Sequence, residues 1–279
     1  MTAPSNLPPR TALFLPASNP RAIEKARGLA AEMIVLDLED SVRDEDKAGA
    51  REAAVAAAAE GFGDRLVAIR VNGEEDAGHA ADVRAVAGSA ADFLVVPKVE
   101  TPDLAARVAA AGKPVLAMIE TPAGVLAAPA IAAVPGVEGL IAGVNDLRAT
   151  LGVPADSGRA GIGYALQAIV LAARAGGVWA LDGVYNALED EAGLAEDCAA
   201  GRLIGFDGKT LIHPNQIAVA ARAFGPSEVE VAEAEALVAA ATGGAERFRG
   251  RMIETMHVDQ ARALLARAGK GVAHFAPRV

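Results

Sequence analysis

Short apolar runs alternate with longer amphipathic segments along the chain, almost to residue 225. The runs are continuously apolar, which is typical of strands that are buried on both faces of a parallel sheet. In the longer segments, apolar residues recur about every three or four positions, the period of a helix that packs one face on a sheet. We predict strands at Ala12–Leu15, Met33–Leu38, Leu66–Val71, Phe93–Val96, Val115–Ile119, Leu140–Ala142, Val178–Leu181 and Leu203–Phe206.

Helical segments follow the predicted strands and complete an alternating βα pattern. Among them are Asn19–Ala30, Asp44–Ala59, Pro102–Ala111 and Gly161–Ala175. Strands that are each followed by helical sequence, repeated eight times, predict an α/β protein with the (β/α)8 TIM-barrel fold, which takes about 250 residues. An open doubly wound sheet is the alternative, but no GxGxxG motif follows the first strand.

The pattern changes in the last part of the chain. Ser227 and Glu230 have the spacing of a capping box at the start of a helix. Glycines at 243 and 244 end that helix, an arginine-rich turn follows, and a last helix is predicted from about His257 to Ala268. We therefore predict a TIM-barrel catalytic domain over residues 1–225 and a C-terminal helical extension over residues 226–279, packed on the barrel or on a neighbouring subunit.

Composition and charge narrow the class of protein. The 279 residues include 26 Lys and Arg against 36 Asp and Glu, a net charge of −10, and an acidic chain without a basic cluster does not match a duplex nucleic-acid binder. The single cysteine, Cys198, excludes an internal disulfide and a multi-cysteine zinc site. No signal peptide is visible, and prolines break the longest uncharged stretch, Thr121–Val137. We expect a cytoplasmic protein without membrane or nucleic-acid partners.

Ionisable residues stand at the ends of six predicted strands in succession. Buried strands tolerate such groups only where they are paired or bind a metal, and the catalytic groups of TIM barrels gather at the carboxyl ends of the strands. The pattern therefore predicts one convergent polar site. Taken in strand order, its members are Asp37, Glu39, Asp40, Arg70, Asn72, Lys98, Glu100, Glu120, Asn145, Asp146 and Asp182.

This set of side chains is rich in carboxylates and holds no Cys or His, so it favours a hard cation such as Mg²⁺ over zinc. Glu120 and Asp146 are the predicted metal ligands, because Mg²⁺ usually takes one or two protein carboxylates and leaves its other positions to water and substrate. Asp37 and Glu39 would hold metal-bound waters. Arg70 offers a planar fork for a substrate carboxylate or carbonyl.

Several motifs, taken together and in order, resemble the citrate lyase β-subunit-like family of CoA-ester lyases. The resemblance covers nearly the whole chain, including its last segment. The matching pieces are RTALFLP (10–16), VLDLED (35–40), IRVN (69–72), VPKVE (96–100), IETPAGV (119–125), GVNDL (143–147), DGVY (182–185) and GFDGKTLIHP (205–214).

The resemblance implies a Mg²⁺-dependent barrel, usually a homotrimer, that cleaves or forms a 3-hydroxyacyl-CoA such as citramalyl-, malyl- or citryl-CoA, with an acyl-CoA and a 2-oxo acid as the other side of the reaction. By position, Glu120 and Asp146 correspond to the family's metal ligands and Arg70 to its substrate-binding arginine, while Asp37 and Glu39 would orient metal waters. Further substrate contacts are implied at Phe14, Arg21, Lys25, Lys98, Glu120, Leu181 and Asp182.

The chain departs from the family's pattern at two positions that bear on chemistry. The family often has Glu-Asp where this chain has Asn145-Asp146. A motif that normally reads Met-Ile-Asp reads Met252-Ile253-Glu254 here, and in related lyases that Asp is a catalytic acid reaching into a neighbouring subunit's site. We expect Glu254 to exchange a proton with the acyl-CoA carbon, and a metal-held water or Asp37 is the candidate base for the hydroxyl.

Other interpretations stay open at this point. Lys98 fits a structural ion pair, and it also fits the nucleophile of a Schiff-base aldolase, since a desolvated lysine can be activated. The altered Glu254 and Asn145 fit a non-catalytic barrel that binds acyl-CoA or a partner protein. A thioesterase or a synthase acting on the same thioesters is the neighbouring option within the enzyme class.

Overall fold

The computed structural model describes residues 7–154 and 157–270. Within them, eight parallel strands follow one another around a closed barrel, and the last strand is hydrogen-bonded to the first. The TIM-barrel prediction is therefore confirmed. The strands are β1 (Thr11–Pro16), β2 (Met33–Asp37), β3 (Leu66–Arg70), β4 (Phe93–Val96), β5 (Val115–Ile119), β6 (Val137–Ala142), β7 (Trp179–Asp182) and β8 (Gly208–Leu211).

Helices connect successive strands, as the amphipathic segments predict. In the barrel they are α1 (Pro20–Ala26), α2 (Lys47–Glu60), α3 (His79–Ala87), α4 (Pro102–Ala109), α5 (Pro122–Ala132), α6 (Val144–Leu151), α7 (Gly163–Gly176), α8 (Glu191–Leu203) and α9 (Ile217–Phe224). Short 3-10 turns lie at Asp44–Asp46, Ala160–Ile162 and Pro214–Gln216.

The barrel interior is filled by side chains from the strands, so it is a packed core and not a pore. Phe93 and Trp179 contact each other there, with ring centroids 5.2 Å apart. The buried residues that form this core are Ala12, Met33, Val35, Ala68, Phe93, Val95, Leu116, Met118, Ile141, Trp179 and Leu181. Because the core closes the barrel, the polar strand ends face an opening only at the carboxyl end.

Strand β8 is where the sequence-based prediction is wrong. Residues Leu203–Phe206 are not a strand, because α8 continues to Leu203, and the strand is Gly208–Leu211. It contains the buried polar residues Lys209 and Thr210, so it lacks the continuous apolar run that identifies the other strands. Both side chains are hydrogen-bonded, to the Asp182 carboxylate and the Asp182 carbonyl respectively, which is why their burial is tolerated.

Threonine caps place two helices directly after their strands or loops. The Thr121 hydroxyl accepts the backbone N–H of Gly124 at 3.1 Å, and Pro122 occupies the first turn of α5. Thr101 caps α4 in the same way. A Thr-Pro pair starts a helix well because threonine satisfies a free N–H group and proline has none to satisfy. Glu120 is therefore held between the end of β5 and the start of α5.

The chain divides into two compact units, the barrel unit Pro8–Ala221 and a second unit that contains the described residues from Arg222 onward. In the second unit, α10 (Glu228–Ala240) begins with the predicted Ser227–Glu230 capping box and packs on α11 (Thr255–Arg267) through Val231, Ala234, Ala261 and Leu265. The predicted arginine-rich turn is an antiparallel hairpin, β9 (Glu246–Phe248) and β10 (Arg251–Ile253). Residues 1–6 and 271–279 of the two predicted domains lie outside the described residues. No described helix is long and apolar enough to cross a membrane.

Candidate active site

A cavity of about 360 Å³ lies at the carboxyl ends of the barrel strands. It brings together six of the predicted strand-end residues, from the ends of β2, β3 and β5 and from the first turn of α6. The lining residues are Phe14, Leu15, Pro16, Asp37, Asp40, Ser41, Arg70, Met118, Glu120, Ala142, Gly143, Val144, Asn145, Asp146, Val184, Asn186, Thr210 and Ile212. The predicted convergence of charged groups at this end of the barrel is thus present in the structure.

Arg70 is fixed in the cavity wall by a two-point ion pair. It is the last residue of β3 and lies beside Asp37, the last residue of β2, in the parallel register. Its Nε donates to Asp37 Oδ1 at 2.6 Å and its Nη2 to Oδ2 at 2.7 Å, and its guanidinium lies 5.2 Å from the centre of the Phe14 ring. Paired donors and a stacked ring leave the guanidinium plane no freedom to rotate.

Asp37 is an acceptor of five hydrogen bonds, two from Arg70 and three from the backbone and side chain of the residues that follow it. Burial alone would raise the pKa of Asp37, but the bonds from Arg70 and Ser41 outweigh burial and the pKa is lowered. A carboxylate so engaged holds its proton poorly. This geometry favours a role in positioning Arg70 over the predicted role as a base.

Glu39 is buried, with 7% of its surface exposed, and lies between two cationic side chains. Lys98 Nζ donates to Glu39 Oε1 at 2.6 Å, and Arg70 Nη1 lies 2.8 Å from Oε2. The second contact is an ion pair without hydrogen-bond geometry, so the buried Oε2 has no hydrogen-bond donor. Burial raises the pKa of Glu39 in spite of both cations. An unpartnered carboxylate oxygen at this depth fits a group that receives a metal-bound water.

Glu120 is a deeply buried carboxylate of the cavity, with 2% of its surface exposed. Its Oε1 accepts the backbone N–H of Lys98 at 2.7 Å. A side chain at Gly143 would occupy the space of the Glu120 carboxylate, so the glycine is required there. Burial, together with the charges of Asp146 and Glu39, raises the pKa of Glu120 to about 7. The repulsion between these carboxylates is what a bound cation would relieve.

Asp146 lies in the first turn of α6 and is half-buried on the cavity wall. A helix N-terminus stabilises a carboxylate there. In the described part of the chain, no three or more His, Cys, Asp and Glu side chains are grouped so as to hold a metal. Glu120 and Asp146 line the same cavity, and the charge of Asp146 acts on Glu120, so this pair could hold Mg²⁺, an ion that keeps several water ligands.

Other predicted substrate contacts lie elsewhere in the barrel. Leu181 is part of the barrel core, and the Asp182 carboxylate is fully buried, so neither lines the cavity. Arg21 and Lys25 are exposed on one side of α1, outside the cavity lining. Phe14 lines the cavity. Lys98 is not among the lining residues, but its backbone N–H donates to Glu120 and its ammonium donates to Glu39. The roles of these residues toward a substrate stay predictions.

Asp182 belongs to a buried group that we call the balanced cluster, consisting of Arg159, Asp182, Asp197 and Lys209. Lys209 Nζ lies 3.0 Å from Asp182 Oδ2 and 2.5 Å from Asp197 Oδ2. Arg159 Nη1 lies 3.0 Å from one oxygen of each aspartate. Lys209 also donates to the carbonyl of Gly183 at 2.5 Å. The cluster secures the ends of β7 and β8 beneath the cavity.

Sequence reasoning missed three polar residues of the cavity, Ser41, Asn186 and Thr210. Asn186 Nδ2 donates to Asn145 Oδ1 at 2.7 Å and so links the loop after β7 to the first turn of α6. Ser41 donates to Asp37 at 2.5 Å. None of the three is ionisable, so a search for charged strand ends could not find them, and Thr210 was also hidden by the misplaced eighth strand.

Glu254 lies in the second compact unit, where it precedes the first residue of α11 and is exposed. Its backbone N–H donates to His257 Nδ1 at 3.0 Å. The carboxylate is therefore accessible within its own unit, as a group that acts on a substrate must be, and its catalytic role stays a prediction.

Comparisons with known proteins identify the family of this chain. The family model of HpcH/HpaI aldolase/citrate lyase matches residues 10–214. The chain is 41% identical over 270 residues to a (3S)-malyl-CoA thioesterase of Cereibacter sphaeroides, covering 94% of this chain and 95% of the relative. It is 36% identical over 266 residues to a citrate lyase subunit beta-like protein of Mycobacterium tuberculosis, covering 92% and 95%. The structure of M. tuberculosis CitE with magnesium, acetoacetate and coenzyme A matches with a TM-score of 0.80 and 34% identity, covering 93% and 98%.

A TIM barrel with a pocket and polar side chains at the carboxyl ends of its strands is the arrangement of a TIM-barrel enzyme. The chain belongs to the HpcH/HpaI aldolase/citrate lyase family. The resemblance that the motifs indicate is thus confirmed, and magnesium accompanies the related CitE protein in its solved complex.

Proposed function

We propose that the protein is a Mg²⁺-dependent carbon–carbon lyase that cleaves a 3-hydroxyacyl-CoA into an acyl-CoA and a 2-oxo acid, or forms it in the reverse direction. The observation that carries the proposal is the presence, in one cavity, of the buried carboxylate Glu120, the half-buried carboxylate Asp146 and the immobilised guanidinium of Arg70. Two carboxylates that would hold a cation, together with the guanidinium of Arg70, suit a substrate that bears a hydroxyl, a carboxylate and a thioester.

Glu120 and Asp146 would hold the Mg²⁺ ion, with Glu39 placed for one of its waters. When bound, Mg²⁺ supplies Lewis-acid polarisation of substrate oxygens. Arg70 binds the substrate's negative charge and fixes its orientation, because Asp37 and Phe14 hold the guanidinium plane in place. Asp37 maintains that geometry and remains ionised.

In this proposal, Glu254 exchanges a proton with the acyl-CoA carbon of a neighbouring protomer's substrate, within a homotrimer. Its longer side chain suits an acyl group of different size from that of lyases with aspartate. Arg21 and Lys25 would bind the phosphates of the CoA portion, since their four-residue spacing places both charges on one side of α1.

A thioesterase is the second candidate, and it is favoured by the 41% identity to (3S)-malyl-CoA thioesterases. The Schiff-base alternative is disfavoured by the geometry of Lys98. Its burial lowers its pKa, but the hydrogen bond and charge of Glu39 outweigh burial and the pKa is raised. The ammonium therefore stays protonated and is a poor nucleophile.

The test is to incubate the protein with (3S)-malyl-CoA, with Mg²⁺ or with EDTA, and to identify the products by mass spectrometry. The lyase yields acetyl-CoA and glyoxylate in equal amounts, and only with Mg²⁺. A thioesterase yields free CoA and malate, which would replace the lyase proposal by the second candidate. Binding without either product, repeated with citramalyl- and citryl-CoA, would indicate a non-catalytic protein. Glu254→Gln should retain binding and slow the cleavage.

A further inference from the structure

Lys98 has a backbone conformation that a residue with a side chain rarely adopts. Its φ is +50°, and among the described residues the only other non-glycine position with positive φ is Arg249, at +47°. Left-handed backbone costs free energy for any residue with a Cβ atom. Such strain persists where the surrounding structure requires it, and it is concentrated at functional sites.

The conformation of Lys98 diverts one backbone N–H from the sheet to a side chain. After β2 and β3, the N–H groups of Leu38 and Val71 continue the ladder to carbonyls of the next strand. After β4, the N–H of Lys98 instead donates to Glu120 Oε1 at 2.7 Å, and Val99 then resumes the ladder to the Met118 carbonyl at 3.1 Å. The strained residue is thus the one whose N–H holds Glu120.

Both carboxylate oxygens of Glu120 are thereby constrained. The backbone N–H of Lys98 donates to Oε1, and Oε2 has space beside it because residue 143 is a glycine. Gly143 begins the segment that leads into α6 and to Asp146. One oxygen of the carboxylate is therefore tied to the backbone, while the other faces the segment that carries the second proposed ligand.

The ammonium group of Lys98 serves a different partner. Its Nζ donates to Glu39 Oε1 at 2.6 Å and not to Glu120. Lys98 thus contacts two carboxylates through two separate parts of the residue, the backbone and the side chain. Substitutions at this one position separate the two contacts.

We infer that Lys98 is a positioning residue for the cation ligand Glu120, and that it acts through its backbone N–H in the left-handed conformation while its ammonium is dispensable for cation binding. This inference rests on the proposed function, in which Glu120 is a ligand of Mg²⁺. It predicts that what residue 98 must provide for Mg²⁺ is a backbone angle and not a charge.

The test titrates MgCl₂ into protein stripped with EDTA, by isothermal titration calorimetry. Lys98→Gln keeps the backbone preference and removes the charge, and Lys98→Gly adopts positive φ without strain. Both should bind Mg²⁺ within about threefold of the wild type. Lys98→Val resists positive φ because it is β-branched, and loss of a hydrogen bond to a charged acceptor should weaken Mg²⁺ binding about tenfold or more.

Arg249→Val is the matched control, because it places the same β-branched residue at the same φ in the second unit. It should lower the melting temperature and leave the Mg²⁺ affinity unchanged. Circular dichroism is used to check that Lys98→Val folds. If Lys98→Val does not fold, Lys98→Thr, which is also β-branched and is smaller, replaces it in the titration.

Two results would overturn the inference. One is equal Mg²⁺ affinity for Lys98→Val and the wild type, and the other is a weakening in Lys98→Gln and Lys98→Gly as large as that in Lys98→Val, which would assign the effect to the ammonium. Failure of the wild type itself to bind Mg²⁺ would instead contradict the proposed function. The two failures are therefore distinguishable.

Discussion

The barrel contains two groups of charged side chains that differ in their balance. In the balanced cluster, the two cations Arg159 and Lys209 meet the two carboxylates Asp182 and Asp197. The second group, which we call the acidic site, lies around the cavity. There, among the described residues, the cations Arg70 and Lys98 face five carboxylates, those of Asp37, Glu39, Asp40, Glu120 and Asp146.

This difference in charge balance distinguishes a group of charges that stabilises the fold from a group that is suited to bind a ligand. In the balanced cluster, two positive and two negative charges neutralise one another, so the group has no net charge that a ligand would compensate. Five carboxylates against two cations leave an excess of negative charge in a place where burial makes it costly. Burial, together with the neighbouring charges of Asp146 and Glu39, raises the pKa of Glu120 to about 7. A divalent cation supplied from solution would remove most of the excess negative charge.

The largest expected effect comes from neutralising the acidic site without changing its shape. Glu120→Gln and Asp146→Asn each remove one charge. We expect Mg²⁺ affinity to fall at least about 100-fold and Mg²⁺-dependent turnover to fall at least about 10⁴-fold, because the Lewis acid is lost. In EDTA, the free energy of unfolding of Glu120→Gln should equal or exceed that of the wild type, since a repelled buried charge has gone. Calorimetric titration, turnover assays and urea unfolding measure the three quantities.

Glu52→Gln is the control, because Glu52 is an exposed carboxylate of α2, and it should leave all three quantities unchanged. Full Mg²⁺-dependent turnover in either cavity variant would contradict the assignment of the metal ligands. A clear loss of stability in Glu120→Gln would mean that the acidic site, too, is a balanced structural group.

The balanced cluster should respond in the opposite way. Lys209→Met removes one cation and leaves Asp182 and Asp197 buried with Arg159 alone, and breaking such a group costs about 3–5 kcal/mol of unfolding free energy. Arg107→Met, which breaks exposed ion pairs to Glu74 and Asp103, should cost less than about 1 kcal/mol. Urea unfolding at neutral pH compares them. If Lys209→Met were as stable as Arg107→Met, the distinction between the two groups would lose its basis.

The sequence was most informative where periodicity and chemistry agreed. Seven strands are visible as apolar runs because both faces of each strand are buried, and Glu120 and Asp146 stand out because each interrupts such a run. The eighth strand was misplaced for the same reason, since Lys209 and Thr210 make β8 polar. Its burial is made possible by partners 12 and 27 residues away in the chain, which no local pattern displays.

The sequence also does not show which charged side chains form ion pairs with one another. The charged strand ends predicted that Asp37, Arg70 and Asp182 would share one pocket, but Asp182 is turned to Arg159 and Lys209. Likewise, no local pattern displays the five hydrogen bonds of Asp37, which favour a role in positioning Arg70 over the predicted role as a base. Which carboxylate is satisfied and which is left open depends on three-dimensional partners, and that distinction is what separates the acidic site from the balanced cluster.

The smallest of the expected effects concerns Asp37, the one carboxylate of the acidic site that is fully satisfied. Its pKa is lowered below the ordinary 3.8, with Arg70 and Ser41 outweighing burial, so the native state binds this proton less readily than the unfolded chain does. Asp37 therefore contributes stability above pH 3.8 that is lost as the pH falls through its native pKa. At pH 7, Asp37→Asn should be less stable than the wild type by about 1.5–3 kcal/mol, the typical worth of hydrogen bonds to a charged group. The difference in unfolding free energy should shrink as the pH falls below about 3.8, while the exposed control Asp103→Asn shows little difference at any pH. A gap between wild type and Asp37→Asn that stayed constant across this range would mean that Arg70 is held by its other carboxylates and not by Asp37.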